Sequence, residues 1–172
     1  MSSPETRGVY PGSFDPPTIA HVASAEAAVR SGALTSLDLA ISRATLGKDT
    51  ASQTPVESRR SRAERLTASR PWLRIVVTDA QLVTDVAAGY DVVVMGADKW
   101  AQVNDPAWYG GSAAARDAAL AGLARVLVAP RSGFTVVGAE VLELPAHLAA
   151  VSSSAARAGA HDLIAPECRA TQ

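Results

Sequence analysis

Apolar segments rich in valine, leucine and isoleucine alternate along this chain with alanine-rich segments of helical character. This alternation constrains the fold strongly, because strands separated by helices lie parallel in one sheet. Right-handed crossovers then place helices on both faces of the sheet. We therefore predict an α/β fold, a Rossmann-like doubly wound parallel sheet. The predicted strands are Gly8–Tyr10, Leu37–Ser42, Leu73–Thr78, Asp91–Met95, Arg125–Ala129 and Glu140–Leu144, and the predicted helices are Ile19–Gly32, Val56–Ser69, Leu82–Ala88, Ala113–Ala121 and a short one after Ser154.

The first strand runs into a turn that suits phosphate binding. Gly12 and Ser13 favour a tight turn with close backbone approach, and the prolines that follow end any extended pairing. Thr18 is a good N-cap for the next helix, which places His21 in its first turn. The N-terminus of a helix attracts anions. We predict that His21 aims a hydrogen-bond donor at a bound phosphate.

A second anion-binding pattern lies near the other end of the chain. Three consecutive hydroxyl residues, Ser152, Ser153 and Ser154, precede an alanine-rich run. Such hydroxyls can cap a helix and donate to phosphate oxygens. Arg157 follows about one helical turn later, so its planar guanidinium can reach the same anion.

Together the two patterns resemble the signatures of the nucleotidylyltransferase superfamily, G-x-F-D-P-x-[HT]-x-G-H and I-S-S-[ST]-x-x-R. The residues that match the first signature in register are Gly12, Phe14, Asp15, Pro16, Thr18 and His21. Thr18 stands where many members have histidine, and Ala20 replaces the usual glycine. The resemblance implies that a nucleotide is joined to a phosphate with loss of pyrophosphate.

The same resemblance implies roles for single residues. His21 and Thr18 would donate to the α- and β-phosphate oxygens, and Arg157 with the serines would hold the departing pyrophosphate. The expected catalytic residues are His21, Thr18 and Arg157, and the expected nucleotide-binding residues are Gly12, Ser13, Phe14, Gly96, Asp98, Ser152, Ser153 and Ser154. ATP is the expected substrate, with Mg²⁺ carried on its phosphates and few protein ligands. No protein metal site is predicted, since His147 and His161 lack metal-ligand spacing.

The middle of the chain contains residues that indicate the identity of the second substrate. Asp98, after a buried strand, could accept hydrogen bonds from ribose hydroxyls or could cap a helix. The segment from Gly96 to Asp98, followed ten residues later by Trp108, resembles the nicotinate or nicotinamide mononucleotide adenylyltransferases. That resemblance implies that Trp108 stacks on the pyridine ring while Trp100 packs. Lys48 could reach a phosphate or the substrate, or could be a solvated loop lysine.

The function expected from these resemblances is transfer of AMP from ATP to nicotinate or nicotinamide mononucleotide. Three alternatives stay open. A pantetheine-phosphate adenylyltransferase is one, because those enzymes also have threonine at the position of Thr18. A cytidylyltransferase acting on another phosphate is the second. A degenerate nucleotide-binding protein without catalysis is the third, and Ala20 motivates it.

Composition limits the partners and the setting. The chain has 172 residues, 48% of them hydrophobic and 19% charged, which suits one globular domain spanning 1–172. A net charge of −1 gives no support for a nucleic-acid or anionic-membrane surface, and no apolar run approaches a membrane span. Cys168 is the single cysteine, so no internal disulfide forms and a cytoplasmic location is expected. The expected partners are small molecules, and a homo-oligomer is left open.

Overall fold

A computed structural model describes residues 5–44 and 54–170. Its centre is a six-stranded sheet in the order β3-β2-β1-β4-β5-β6, in which every neighbouring pair is parallel. The strands are β1 (Arg7–Gly12), β2 (Ser36–Ser42), β3 (Leu73–Thr78), β4 (Val92–Gly96), β5 (Arg125–Ala129) and β6 (Glu140–Val141). The predicted α/β doubly wound fold is therefore confirmed.

The helices connect the strands and cover the sheet. They are α1 (Ile19–Gly32), α2 (Val56–Glu64), α3 (Val83–Val86), α4 (Ala97–Asn104), α5 (Ala113–Ala121) and α6 (Ser153–Arg157). Short 3₁₀ turns lie at Arg65–Ser69, Pro106–Tyr109, Ala146–Ala150, His161–Leu163 and Pro166–Cys168. None of the helices in the described part of the chain has both the length and the apolar character needed to cross a bilayer.

Two apolar clusters form the core, one on each face of the sheet. Leu39 and Val94 pack on one face with the alanines of α1, and Val9 and Val93 pack on the other with α3 and α4. Neighbouring residues of one strand thus enter opposite clusters, as the period of two in a strand requires. Because both faces are covered, the strands are apolar on both sides.

Several predicted bounds differ from those of the structure. β6 ends at Val141 and not at Leu144, because it is an edge strand that pairs with β5 alone. The helix predicted from Val56 ends at Glu64 and continues as a 3₁₀ turn, and α3 is only four residues long. Helix α4 was not predicted at all. That the whole chain forms one domain stays a prediction.

The order of the strands determines where a ligand can bind. The chain moves outward in one direction from β1 to β3 and then returns to place β4 beside β1 on the other side. In sheets of this type, ligands bind outside the carboxyl ends of the strands at this reversal. Those ends are Gly12 of β1 and Gly96 of β4.

Candidate active site

A cleft of about 450 Å³ opens at this reversal of strand order. Its lining includes the β1–α1 loop with the first turn of α1, the end of β4 with α4, the 3₁₀ turn that contains Trp108, the turn after β5, and the start of α6. The predicted site residues among its lining are Gly12, Ser13, His21, Gly96, Asp98, Trp108, Ser152, Ser153, Ser154 and Arg157. The fold thus brings together residues that lie far apart in the sequence.

The β1–α1 loop is shaped by the ring of Phe14. Phe14 has a left-handed backbone (φ 46°), and its side chain is only 1% exposed. Its ring packs edge-on against Tyr10 and His21, with centroids 5.3 and 5.0 Å apart. A Cβ atom at Gly12 would lie 2.9 Å from this ring, so glycine is needed there for packing. Because the ring lies in the core, only the backbone of Phe14 could contact a nucleotide, and its assignment as a nucleotide-binding residue stays a prediction.

Thr18 and His21 form a reciprocal cap at the start of α1. The N–H of Thr18 donates to Nδ1 of His21 at 3.0 Å, and the N–H of His21 donates to Oγ1 of Thr18 at 3.4 Å. Thr18 is 1% exposed and does not line the cleft, so its predicted donation to phosphate is corrected to a capping role. Because Nδ1 accepts a hydrogen bond, the proton of the neutral imidazole lies on Nε2.

The charge state of His21 follows from its surroundings. Burial, together with the positive charge of Arg131 and against the opposing charge of Asp98, lowers the pKa of His21 to about 4. The imidazole is therefore neutral at pH 7, and its Nε2–H is the ring's hydrogen-bond donor. Tyr10, beside it, is also buried, which raises the pKa of the phenol to about 12.

The three serines of the second pattern have different partners. Ser152 accepts a hydrogen bond from the N–H of Ala155 at 3.1 Å, which caps α6 and leaves the serine proton for a ligand. Ser153 donates to the carbonyl oxygen of Pro16 at 2.8 Å. Its proton is committed to the β1–α1 loop, so the prediction that Ser153 donates to phosphate is corrected to a structural link.

Arg157 joins the same two segments. Its Nη1 donates to the carbonyl oxygen of Asp15, and its Nη2 donates to Oγ of Ser154 at 3.2 Å. The guanidinium therefore lies between the β1–α1 loop and α6, at the edge of the cleft. It has five N–H donors, so it can contact an anion as well as these two oxygens.

On the other side of the cleft, the end of β4 meets the turn after β5. The carboxylate of Asp98 lies 3.5 Å from Nε of Arg131, and a Cβ atom at Gly96 would lie 2.5 Å from Oδ1 of Asp98. Arg131 also donates through Nη1 to the carbonyl oxygen of Val151, directly before the serines. Sequence reasoning did not select Arg131 as a site residue. Its position directly after β5, at the same sheet edge as Gly12 and Gly96, could have indicated it.

Trp108 lies in the 3₁₀ turn Pro106–Tyr109, half-buried at the cleft. Trp100 is instead 8% exposed in the core and donates from Nε1 to the carbonyl oxygen of Val137 at 3.0 Å. This arrangement agrees with the expectation that Trp100 packs. Lys99 and Gln102, which α4 also brings to the cleft, were missed because that helix was not predicted.

The remaining candidates lie elsewhere. Lys48 falls outside the described residues. His147 and His161 are exposed and do not line the cleft. In residues 5–44 and 54–170, no group of three or more His, Cys, Asp or Glu side chains could hold a metal ion. Asp98 is the carboxylate that lines the cleft, and it pairs with Arg131. This donor set suits a Mg²⁺ ion that arrives on nucleotide phosphates and keeps several waters.

The family assignment rests on a comparison with protein families. A family model described as Cytidylyltransferase-like matches residues 9–159. The chain belongs to the cytidylyltransferase-like family. It is accordingly a nucleotidyltransferase, which confirms the superfamily expected from the two signatures. The matched range includes both the β1–α1 loop and α6, which line the cleft.

Solved structures resemble this family member in fold. One is Plasmodium falciparum nicotinic acid mononucleotide adenylyltransferase complexed with APC, at 14% identity and a TM-score of 0.64, covering 95% of this chain and 92% of that one. The same enzyme complexed with NaAD gives 14% identity and a TM-score of 0.58, with 90% and 83% covered. At this identity the likeness establishes the fold. No curated protein matches the sequence.

Proposed function

We propose that this nucleotidyltransferase transfers AMP from ATP to nicotinate or nicotinamide mononucleotide and releases pyrophosphate, a step of NAD biosynthesis. The observation that carries the proposal is the composition of a single cleft. A neutral imidazole and the hydroxyls and guanidinium of α6 line one side, and an indole ring lines the other. The first set suits a polyphosphate and the second suits a flat aromatic acceptor.

The reaction consists of one displacement at phosphorus. A phosphate oxygen of the acceptor attacks the α-phosphorus of ATP, and the bond to the oxygen that bridges to the β-phosphate breaks. Pyrophosphate leaves with the bonding electrons. A phosphomonoester has its second pKa near 6, so the attacking oxygen is already ionised at pH 7 and no base is required. Positioning and stabilisation of charge therefore supply the catalysis.

His21 is the proposed donor to the reacting phosphate. Its Nδ1 accepts the N–H of Thr18, which fixes the ring and directs Nε2–H away from the capping turn. A neutral donor suits this position, because it can bind the developing charge without giving up its proton to the ground-state phosphate. The backbone of the Gly12–Phe14 loop lies beside it and would supply further N–H donors.

The pyrophosphate side is assigned to α6. Ser152 and Ser154 each keep a hydroxyl proton that can be donated, since each accepts a hydrogen bond at its oxygen. Arg157 adds positive charge at the same place. Mg²⁺ bound on the phosphates would neutralise part of their charge. Together these groups would stabilise the leaving pyrophosphate.

The acceptor side is assigned to Trp108, Asp98 and Arg131. Trp108 would stack on the pyridine ring. Asp98 can accept hydrogen bonds from ribose hydroxyls, and Arg131 beside it offers donors for a phosphate. The solved structures that resemble this chain are of an enzyme named for nicotinic acid mononucleotide, which supports the choice of acceptor.

A screen of pyrophosphate release tests the proposal. ATP or CTP is combined in turn with nicotinate mononucleotide, nicotinamide mononucleotide, phosphopantetheine and glycerol phosphate. Release with ATP and a pyridine mononucleotide, together with the dinucleotide product by mass spectrometry, is expected. Release only with phosphopantetheine, or only with CTP, would overturn the acceptor or the nucleotide. Nucleotide binding without release under any combination would indicate a non-catalytic binding protein.

A further inference from the structure

Arg59, in the middle of α2, is a charged residue buried in an unexpected place. In the structure it is 2% exposed, one of two buried residues in its helix. Burying a guanidinium is costly unless its donors are satisfied. Burial lowers the pKa of Arg59, and the nearby carboxylate of Asp15 raises it.

Backbone carbonyl oxygens from three separate segments satisfy this guanidinium. Its Nε donates to Thr54 at 3.0 Å, just before α2. Its Nη2 donates to Ser42 at 2.9 Å and to Arg43 at 3.4 Å, at the end of β2. Its Nη1 donates to Ser13 at 3.4 Å, in the β1–α1 loop. One planar group thus fixes the nucleotide-binding loop to the ends of two other elements.

The contact with Ser13 has a direct consequence for the cleft. The C=O of Ser13 and the N–H of Phe14 belong to one peptide plane and point in opposite directions. Holding the carbonyl toward Arg59, inside the protein, therefore turns the N–H of Phe14 outward. Phe14 packs in the core beneath the loop, and Ser13 before it lines the cleft.

We propose that Arg59 is a positioning residue for the nucleotide: it holds the Ser13 carbonyl inward so that the N–H of Phe14 faces the phosphates. The proposal rests on the proposed function only in that the cleft binds a nucleoside triphosphate. Arg62, in contrast, pairs with the carboxylate of Asp15 at 3.9 Å, and Arg65 donates to the carbonyl oxygen of Arg169. Neither of these arginines contacts the loop at Ser13.

The test uses Arg59→Lys and Arg59→Met, with Arg60→Lys as the matched control. Arg60 is on the same helix but exposed, and it pairs with Glu64 at 2.8 Å. Lysine keeps the charge but cannot bond four carbonyls in a planar fork. We expect Arg59→Lys to weaken ATP binding by calorimetry about tenfold, the scale for a hydrogen bond to a charged group. The KM for ATP should rise in parallel and the KM for the acceptor should stay unchanged.

A merely structural role predicts a different result. It would lower thermal stability and the active fraction, and hence the apparent kcat, without changing ATP affinity per folded molecule. That outcome for Arg59→Lys would overturn the proposal, as would an equal loss in Arg60→Lys. Calorimetry with ATP needs no acceptor, so this test remains valid even if the proposed adenylyl transfer is wrong. A failure of that transfer would appear separately, in the screen of pyrophosphate release.

A measurement on the unaltered protein covers the case in which neither variant folds. The backbone ¹H–¹⁵N signal of Phe14 is followed by NMR as ATP is added. A downfield shift of the amide proton is expected, because the N–H gains a phosphate oxygen as acceptor. A Phe14 signal that does not move while those of His21 and Ser152 do would overturn the proposal.

Discussion

The side of the cleft that is proposed to bind the phosphates and the side that is proposed to bind the acceptor are built differently. On the phosphate side, Phe14 and Thr18 are each 1% exposed, and Ser153 and Arg157 bind carbonyl oxygens of the β1–α1 loop. On the acceptor side, the side chain of Asp98 is 47% exposed, and Trp108 lies on a short 3₁₀ turn. The first side is held by bonds between distant segments, whereas the second presents partly exposed side chains.

This difference matches what each side has to recognise. A polyphosphate is a small, charged group, and its transition state is stabilised best by donors that are fixed in advance. Partly exposed side chains such as that of Asp98 can be substituted without disturbing the core. Substitutions on the phosphate side should therefore affect the chemical step, and those on the acceptor side should affect substrate choice.

The largest effect is expected from His21→Ala. Removing one preorganised donor costs about a hundredfold or more in kcat. Nucleotide affinity should change much less, because the contact strengthens in the transition state. Steady-state kinetics and calorimetry measure the two quantities. His147→Ala is the matched control, since His147 is exposed and does not line the cleft. Near-normal turnover of a well-folded His21→Ala would contradict the assignment.

Arg157→Ala comes next. We expect it to weaken the binding of ATP about tenfold, which is the scale for losing a hydrogen bond to a charged group. The binding of AMP should be weakened less. AMP lacks the β- and γ-phosphates that Arg157 is proposed to hold. Calorimetry with ATP and with AMP measures the two losses of affinity. Equal losses of affinity for ATP and AMP would mean that Arg157 only fixes the loop at Asp15. They would contradict its assignment to the pyrophosphate.

Trp108→Ala should produce a smaller, selective effect. Aromatic stacking contributes about 0.5–1.5 kcal/mol beyond area burial, so the KM for the pyridine mononucleotide should rise severalfold. The KM for ATP should stay nearly the same. Nicotinate mononucleotide should also quench the fluorescence of the unaltered protein more than that of the variant. Trp100→Phe, in the core, serves as control. Loss of ATP affinity in Trp108→Ala would break the distinction between the two sides.

The last prediction concerns the protonation of His21. It should have the smallest effect on activity and a clear effect on the titration of the imidazole. Its pKa should be near 4 by NMR, with the proton on Nε2 above that pH. The unfolded chain then binds more protons between pH 6.5 and 4, so stability is full above 6.5 and declines as the pH falls toward 4. Denaturant titrations measure this slope. A His21 titration midpoint near 6.5 would refute a neutral donor fixed by burial.

The sequence was most informative where local patterns decide the structure. Helix α1 has its predicted bounds because Thr18 is a strong N-cap and the alanines that follow favour a helix. Arg125–Ala129 also has its predicted bounds, since its residues from Val126 onward are apolar and its last three are buried. Helix α4 was missed although Ala97, Trp100 and Val103, its buried residues, recur every three positions.

The remaining differences depend on contacts between distant segments. No local pattern indicates that Ser153 donates to Pro16 while Ser152 keeps its proton, because the two serines are neighbours. The burial of Arg59 is likewise invisible in a helix whose other arginines are on the surface. Phe14 matched a nucleotide-binding signature, and only the three-dimensional structure shows that its ring supports the loop from beneath.

The hydrogen bond between Ser153 and Pro16 also bears on biosynthesis. It connects residues 137 positions apart, so the β1–α1 loop emerges from the ribosome long before its partner is translated. During that interval the loop lacks one wall of its binding site. The cleft between the β1–α1 loop and α6 is therefore completed only late in synthesis, after the residues of α6 have been translated.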